Sequence, residues 1–317
     1  MQDWKGRDQL IAVALASLLT LPAAAQSPGE PGGVDPELDP QALKAEAEDG
    51  NVNAQYNLAL MYLNGIGVDA DPARAAEWFR EAADQDDAEA QMQLGYLYDV
   101  GKGVTQSNAQ AYYWYRKAAR QGDGYAMVNL GYIYRDGRGA EADSEKACDW
   151  FEKAADADNA EGQYALADCY LEGQGRERDS ATALKWYRLA AEQGDAIAQG
   201  RLGYLYEQGI GVDENRAQAA DWYRRAAEQG EPQSQYNYAV LLSTGEGVEQ
   251  DEAAAVDWFR KAAEQGDAHA QYALAGSYFE GRGVAADSER GMHWLRRAAD
   301  QGFAPAERLL QRVKDSD

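Results

Sequence analysis

Apolar positions recur along the chain with helical spacing, and the pattern itself returns at a longer fixed interval. Ala198, Leu202, Gly203, Leu205 and Tyr206 fall at i, i+4, i+5, i+7 and i+8, one face of a helix. Ala219, Trp222, Tyr223, Ala226 and Ala227 fall at i, i+3, i+4, i+7 and i+8, a second helical face. We term these helix A and helix B; a turn with two glycines, Gly209 and Gly211, separates them. The pair repeats every 36 residues. Trp78, Trp114, Trp150, Trp186, Trp222, Trp258 and Trp294 keep that step, as do the first turn glycines (Gly65 to Gly281) and the second (Gly67 to Gly283). Seven copies with no insertion or deletion predict a solenoid in which each repeat buries its face on its neighbours. Small Ala and Gly residues stand beside Leu, Tyr and Trp, so the helices can interdigitate closely.

The punctuation between helices agrees. Asp71, Ser107, Asp143, Asp179, Asn215, Asp251 and Asp287 precede helix B, and all are N-capping types whose side-chain oxygen accepts an orphan backbone N–H. Helix B ends before Gly122, Gly194, Gly230, Gly266 and Gly302, suited to a left-handed residue; Asp86 and Asp158 replace glycine there. Basic residues in the latter half of helix B, such as Arg80, Lys153 and Arg224, suit the negative end of the helix dipole, and many face an acid four residues on.

The pattern A-x-x-x-L-[GA]-x-x-Y-x-x-G-x-G-V, followed by a capped helix with A-x-x-W-[YF]-x-x-A-A-x-x-G, resembles the Sel-one-like repeat, a relative of the tetratricopeptide repeat. The resemblance covers Asn53 to Ala304. It departs at Ala140 and Arg176 (valine in the family turn), at Leu242 (the helix A tyrosine), and at Gly162 and Ser234 (its first alanine). The expected fold is all-α: a right-handed α/α superhelix, a solenoid of seven 36-residue helix-turn-helix repeats with polar end caps. The caps are an N-terminal half repeat (41–52) and a final helix (305–317), flanking repeats over 53–304.

Composition and the N-terminus add compartment and partner class. The apolar run 10–25, ending Ala23-Ala24-Ala25, reads as a signal peptide spanning 1–25, with a Pro/Gly/acidic linker over 26–40. The alternative is an uncleaved anchor, although the run is short for a membrane span. The expected location is periplasmic or secreted, with no stable membrane insertion after cleavage. A net charge of −24 argues against nucleic-acid binding and favours basic partners. Two cysteines and two histidines are too few for a Cys/His metal cluster, and no metal or other cofactor is expected.

Candidate chemistry is sparse. The Gly-x-Gly turns follow a helical rather than a strand pattern, and Asp69, Glu141, Asp213 and Glu249 in them would repel phosphate. Some secreted members of the family are β-lactamase-like, but this chain has no Ser-x-x-Lys and no Lys-Thr-Gly. A cell-wall or β-lactam hydrolase is therefore the alternative reading, and no catalytic residue is assigned. His269 and His293 have no partner at ligand spacing and read as surface residues. Cys148 and Cys169 lie about equally far from the turn between helix B of copy three and helix A of copy four, at apolar positions of the repeat. They are either a disulfide or two buried thiols; a Cα separation above about 7 Å excludes the bond.

What remains is surface. The resemblance implies that helix A lines the concave side, so its positions that vary between copies are the candidate reading face for a protein or peptide. They are Tyr96, Tyr132, Asp168 and Tyr204, with Gln93, Asn129, Arg201 and Asn237, and with Asp99, Arg135 and Glu207. The tyrosines alternatively serve only to pack neighbouring helices A. The expected protein is a monomeric, exported, non-catalytic scaffold, of the kind that acts as a periplasmic adaptor or regulator.

Overall fold

The computed structural model describes residues 39–314, which form sixteen helices and, among the described residues, no strand. The expected leader and linker positions up to 38 lie outside them. Helix α1 (Pro40–Glu48) is the N-terminal cap. The helices A are α2 (Val52–Asn64), α4 (Ala88–Val100), α6 (Gly124–Asp136), α8 (Ala160–Glu172), α10 (Ala196–Gln208), α12 (Pro232–Thr244) and α14 (Ala268–Glu280). The helices B are α3 (Pro72–Asp84), α5 (Asn108–Arg120), α7 (Ser144–Asp156), α9 (Ser180–Glu192), α11 (Arg216–Glu228), α13 (Glu252–Glu264) and α15 (Ser288–Asp300). Helix α16 (Ala304–Lys314) is the last helix among the described residues. The residues divide into two compact units, one ending at Trp186 and one beginning at Tyr187, and in each the sequence-adjacent helices pack together.

All seven expected helix B caps accept a backbone N–H from the first turn. Helix A is capped likewise, by Asn51, Asp87, Asp123, Asn159, Asp195, Glu231 and Asp267. The first turn glycine ends each helix A in the left-handed conformation, with φ between 65° and 76° across the copies. Asp86 and Asp158 hold the same kind of conformation after helix B, at φ 66° and 59°.

The second turn glycine has a different task. A Cβ on Gly103 would lie 2.1 Å from the carbonyl oxygen of Pro72, the first residue of the preceding helix B. Gly175, Gly247 and Gly283 would come within 2.1, 2.3 and 2.0 Å of the equivalent carbonyls of Ser144, Arg216 and Glu252. These turns therefore seat directly on the start of the previous helix B, a contact that only glycine permits.

Inside, the residue after each repeat tryptophan enters the core, an aromatic in six copies and Leu295 in the seventh. Phe79, Tyr115, Phe151, Tyr223 and Phe259 are buried. A Cβ on Gly95, Gly131 or Gly203 would meet the ring of Tyr115, Phe151 or Tyr223 at 2.7, 2.3 or 2.8 Å, so these helices A lack a side chain where the ring lies. The tryptophans themselves are half-buried at the surface edge, except Trp114, which is buried. Lys153, Arg225 and Lys261 sit over the rings of Trp150, Trp222 and Trp258, at 4.0, 4.5 and 3.6 Å from their centroids. The basic residues of helix B thus cover tryptophan faces as well as suiting the dipole.

A buried glutamine relay joins the repeats. The fourth residue of helix A is Gln55, Gln91, Gln199, Gln235 or Gln271, each nearly fully buried. Its amide donates to a carbonyl near the end of the preceding helix: Ala47, Ala83, Ala191, Ala227 or Ala263, at 3.0 to 3.2 Å. Its own oxygen accepts from the glutamine that ends its repeat's helix B: Gln85, Gln121, Gln229, Gln265 or Gln301, at 2.8 to 3.0 Å. Copy three has Met127 and Ala157 at these places. There Cys148 of α7 and Cys169 of α8 are joined by a disulfide, with Cα atoms 6.2 Å apart.

Two outcomes follow. Gln199→Leu keeps the volume but leaves the Gln229 amide without its partner and takes from the Ala191 carbonyl one of its two donors, the Gly194 N–H remaining. It should cost about 2 kcal/mol in urea unfolding, while Gln218→Leu, on an exposed position, should change stability by under about 0.5 kcal/mol. The second concerns Asp195, whose carboxyl is pushed above the usual range by burial, partly offset by the backbone N–H groups it caps. A raised folded pKa means that the wild type loses stability as pH rises from the unfolded Asp value through the folded one. Asn caps helix A in two other copies, at Asn51 and Asn159. Asp195→Asn should therefore melt higher than wild type at pH 7, and the gap should close as pH is lowered to about 4.

Candidate functional site

The variable helix A positions fall into two groups. Gln93, Asp99, Asn129, Tyr132 and Asn237 are buried. Asn129 donates its amide to the Tyr125 carbonyl of its own helix at 3.0 Å, and Asn237 accepts from the Gln233 amide at 3.1 Å. Tyr132 packs edge-on to Phe151 at 5.2 Å, and its hydroxyl lies 3.2 Å from that of Tyr164. These side chains tie helices A to their surroundings. Tyr96, Asp168, Arg201, Tyr204 and Glu207 are half-buried and Arg135 is exposed, so they keep solvent-accessible surface.

Charge on this face is held by neighbours. Asp99 pairs with Arg138 at 2.7 Å, while its second oxygen is buried with no partner. Burial raises its pKa, against the lowering effect of Arg138. The equivalent acid three copies on, Glu207, is one methylene longer and accepts from the Tyr223 hydroxyl at 2.8 Å. Burial pushes Glu207 up as well, against that hydrogen bond. Arg135 lies over the Tyr132 ring at 4.7 Å and pairs with Asp136 at 2.9 Å. The two Asp/Glu sites differ in reach, so one contacts an arginine of the next turn and the other the buried tyrosine.

A narrow notch opens between α10 and α12. Ile197, Gly200 and Arg201 line one side; Glu231, Gln233, Ser234 and Asn237 line the other. Of these, Arg201 and Asn237 belong to the variable set read from the sequence, and the rest do not. The sequence did carry a signal: Gly200 stands in a column otherwise filled by Tyr56, Met92, Val128, Tyr164, Tyr236 and Tyr272. The glutamine relay was legible in the same way, as glutamine recurring at the 36-residue step. His269, read as a surface residue, is half-buried between the rings of Tyr236 (5.7 Å) and Phe303 (4.8 Å), whereas His293 is exposed beside Trp294. Among the described residues no helix is long and apolar enough to cross a membrane.

Seven consecutive segments, 52–87, 88–123, 124–159, 160–195, 196–231, 232–267 and 268–303, match the Sel1 repeat. The chain is similar to c5321, a protective antigen present in uropathogenic Escherichia coli strains that displays an SLR fold. Identity is 37% over 88% of this chain and 60% of that one, with a TM-score of 0.76. It is also similar to a Sel1 repeat protein from Oxalobacter formigenes, at 36% identity over 88% of this chain and 83% of that one, with a TM-score of 0.70. The chain thus spans 60% of the length of the antigen. No curated protein matches it. Sel1-repeat proteins are generally protein-interaction scaffolds. With seven in-phase matches covering most of its length, the chain belongs to the Sel1 repeat family.

Proposed function

We propose that this chain is an exported, non-catalytic scaffold of the bacterial cell envelope that binds a protein or peptide along its helix A face. One observation carries the reading. Where the repeat is constant, side chains are spent on packing: the turn glycines, the core aromatics and the glutamines. Where it varies, Tyr96, Arg135, Asp168, Arg201, Tyr204 and Glu207 keep accessible surface on helix A. Tyrosine and arginine supply large contact area with a polar tip, as interface anchors do. The acidic surface, at −24 overall, steers basic partners. The Cys148–Cys169 disulfide supports an oxidising compartment, because such bonds persist outside the reducing cytosol. An adaptor or regulator in the periplasm is the concrete version we favour.

Photo-crosslinking tests the face. A benzoylphenylalanine placed at Tyr96 or Tyr204 should yield a discrete adduct in the cell envelope, identified by mass spectrometry. The same probe at Lys185, exposed on helix B, should not. Equal adducts from all three positions, or none while Tyr96→Ala/Tyr204→Ala alters stability alone, would leave only a spacer. The compartment is tested separately by thiol labelling. In acid-quenched cells neither cysteine should react with maleimide until the protein is reduced, and immediate labelling of both would overturn export.

A further inference from the structure

Helix B neutralises its own arginines in most copies. An arginine stands two residues after the tryptophan in every copy but the third, and in five of those six an acid follows four residues on: Asp84, Glu192, Glu228, Glu264 and Asp300. Copies one, five and six add an acid three residues before the arginine, at Glu77, Asp221 and Asp257. The pairs form. Arg224 meets Asp221 at 2.9 Å and Glu228 at 2.8 Å, and Arg260 meets Asp257 at 2.7 Å.

Copy two loses both acids. Tyr113 and Arg120 stand in their places, so α5 carries Arg116, Lys117 and Arg120 with no Asp or Glu in its 13 residues. Every other helix B has at least one acid. Tyr113, Arg116, Lys117 and Arg120 fall at i, i+3, i+4 and i+7, a single face of the helix. Tyr113 stands edge-on to Trp114 at 4.9 Å and is 46% exposed, which makes it one of the few large side chains left open to solvent. Lys117 is held by Asp86 at 3.2 Å. Arg116 lies over the Tyr112 ring at 5.6 Å, and neither it nor the exposed Arg120 makes an ion pair among the described residues. Arg116 and Arg120 are like charges four residues apart, an arrangement that opposes the helix where the other copies support it.

We infer that this face of α5 is a docking surface for an acidic segment of another protein, whose carboxylates meet Arg116 and Arg120 and whose apolar side chain lies on Tyr113. It is separate from the helix A face and takes a partner of opposite charge. Charge complementarity selects an acidic partner, and the width of the strip selects its class. The copies on either side keep their acids, Glu77 and Asp84 in α3, Asp149 and Asp156 in α7. The basic strip is therefore one helix wide and about 10 Å long. A bilayer or a nucleic acid would meet those acids as well, and a chain of net charge −24 around them. A short segment with a few carboxylates fits within the strip.

Calorimetric titration of the full chain at low ionic strength, where exposed charges are least screened, tests the surface. The probes are the peptide Ala-Glu-Glu-Leu-Glu-Glu-Ala and the same peptide with glutamine for each glutamate. The glutamate peptide should bind and the glutamine one should not. Arg120→Glu gives copy two an acid where every other copy has one, so it should melt no lower than wild type, yet bind the glutamate peptide about tenfold more weakly. Tyr113→Asp, which copies Asp221 and Asp257, should act in the same direction. Lys185→Glu, exposed on α9, changes the net charge as much as Arg120→Glu and should leave binding unaltered. No binding of the glutamate peptide, equal binding of the two peptides, or equal loss in Arg120→Glu and Lys185→Glu overturns the surface. So does a wild-type dimer in sedimentation that Arg120→Glu dissociates, which would give the face to a second copy of the chain. Binding to phosphatidylglycerol vesicles that Arg120→Glu abolishes, without peptide binding, would give it to lipid and overturn the inference too.

Discussion

A helix that ends inside a protein must find donors for its last carbonyls, and in this chain that requirement sets the repeat. The alanine face of the last turn of helix B is buried against the next helix A, while its other side faces solvent. Each relay carbonyl already accepts a backbone N–H from the turn that follows its helix; the glutamine four residues into the next helix adds a second donor, and a second glutamine secures the first. A buried amide with both its oxygen and its nitrogen satisfied is stable in the interior, whereas one left half-paired is costly. The relay therefore works only when helix B, the short connection and helix A keep their lengths. Each A and B helix is 13 residues long, with no exception in seven copies.

Copy three shows the constraint from the other side. It lacks both glutamines, with Met127 and Ala157 in their place, and Asp158 rather than glycine follows its helix B. At that junction Gln163 donates instead to the Asp158 carboxylate at 3.0 Å. The disulfide from Cys148 to Cys169 joins α7 to α8, one junction on from Met127. A covalent link across a closed loop of about twenty residues constrains the unfolded chain by roughly 3 kcal/mol. That is more than the relay hydrogen bonds that are missing would contribute at about 1 kcal/mol each.

Much of this architecture was legible in the sequence because repetition makes weak signals additive. One Asp before a helical pattern is a modest hint; seven capping residues in phase located every helix B. The tryptophan period set the register, and the glycine columns marked the turns. What was not legible is how deep each variable residue lies. Tyr132 and Tyr204 occupy one column, yet Tyr132 is buried beside Phe151 and Tyr204 is half-open. Burial there depends on what the neighbouring copies present, a pairwise fact that a single column does not hold. The notch left one trace in the sequence, Gly200 in a column of larger residues, but that Ser234, 34 residues on, lies against it is again a pairwise fact.

The seating of second turn glycines such as Gly103, Gly175, Gly247 and Gly283 on the preceding helix B also bears on how such a chain can change its length. The contact links a turn to the repeat before it, and its tolerance is the difference between a hydrogen atom and a methyl group. A loop that gained or lost a single residue would lift the glycine off its carbonyl and pull the relay out of register together. Growth or shrinkage by a whole 36-residue unit disturbs neither, since a unit inserted between such repeats brings the same seat with it. Such a chain is free to lengthen only in quanta, like a ladder extended one rung at a time, while the exposed side chains of each rung remain free to diverge.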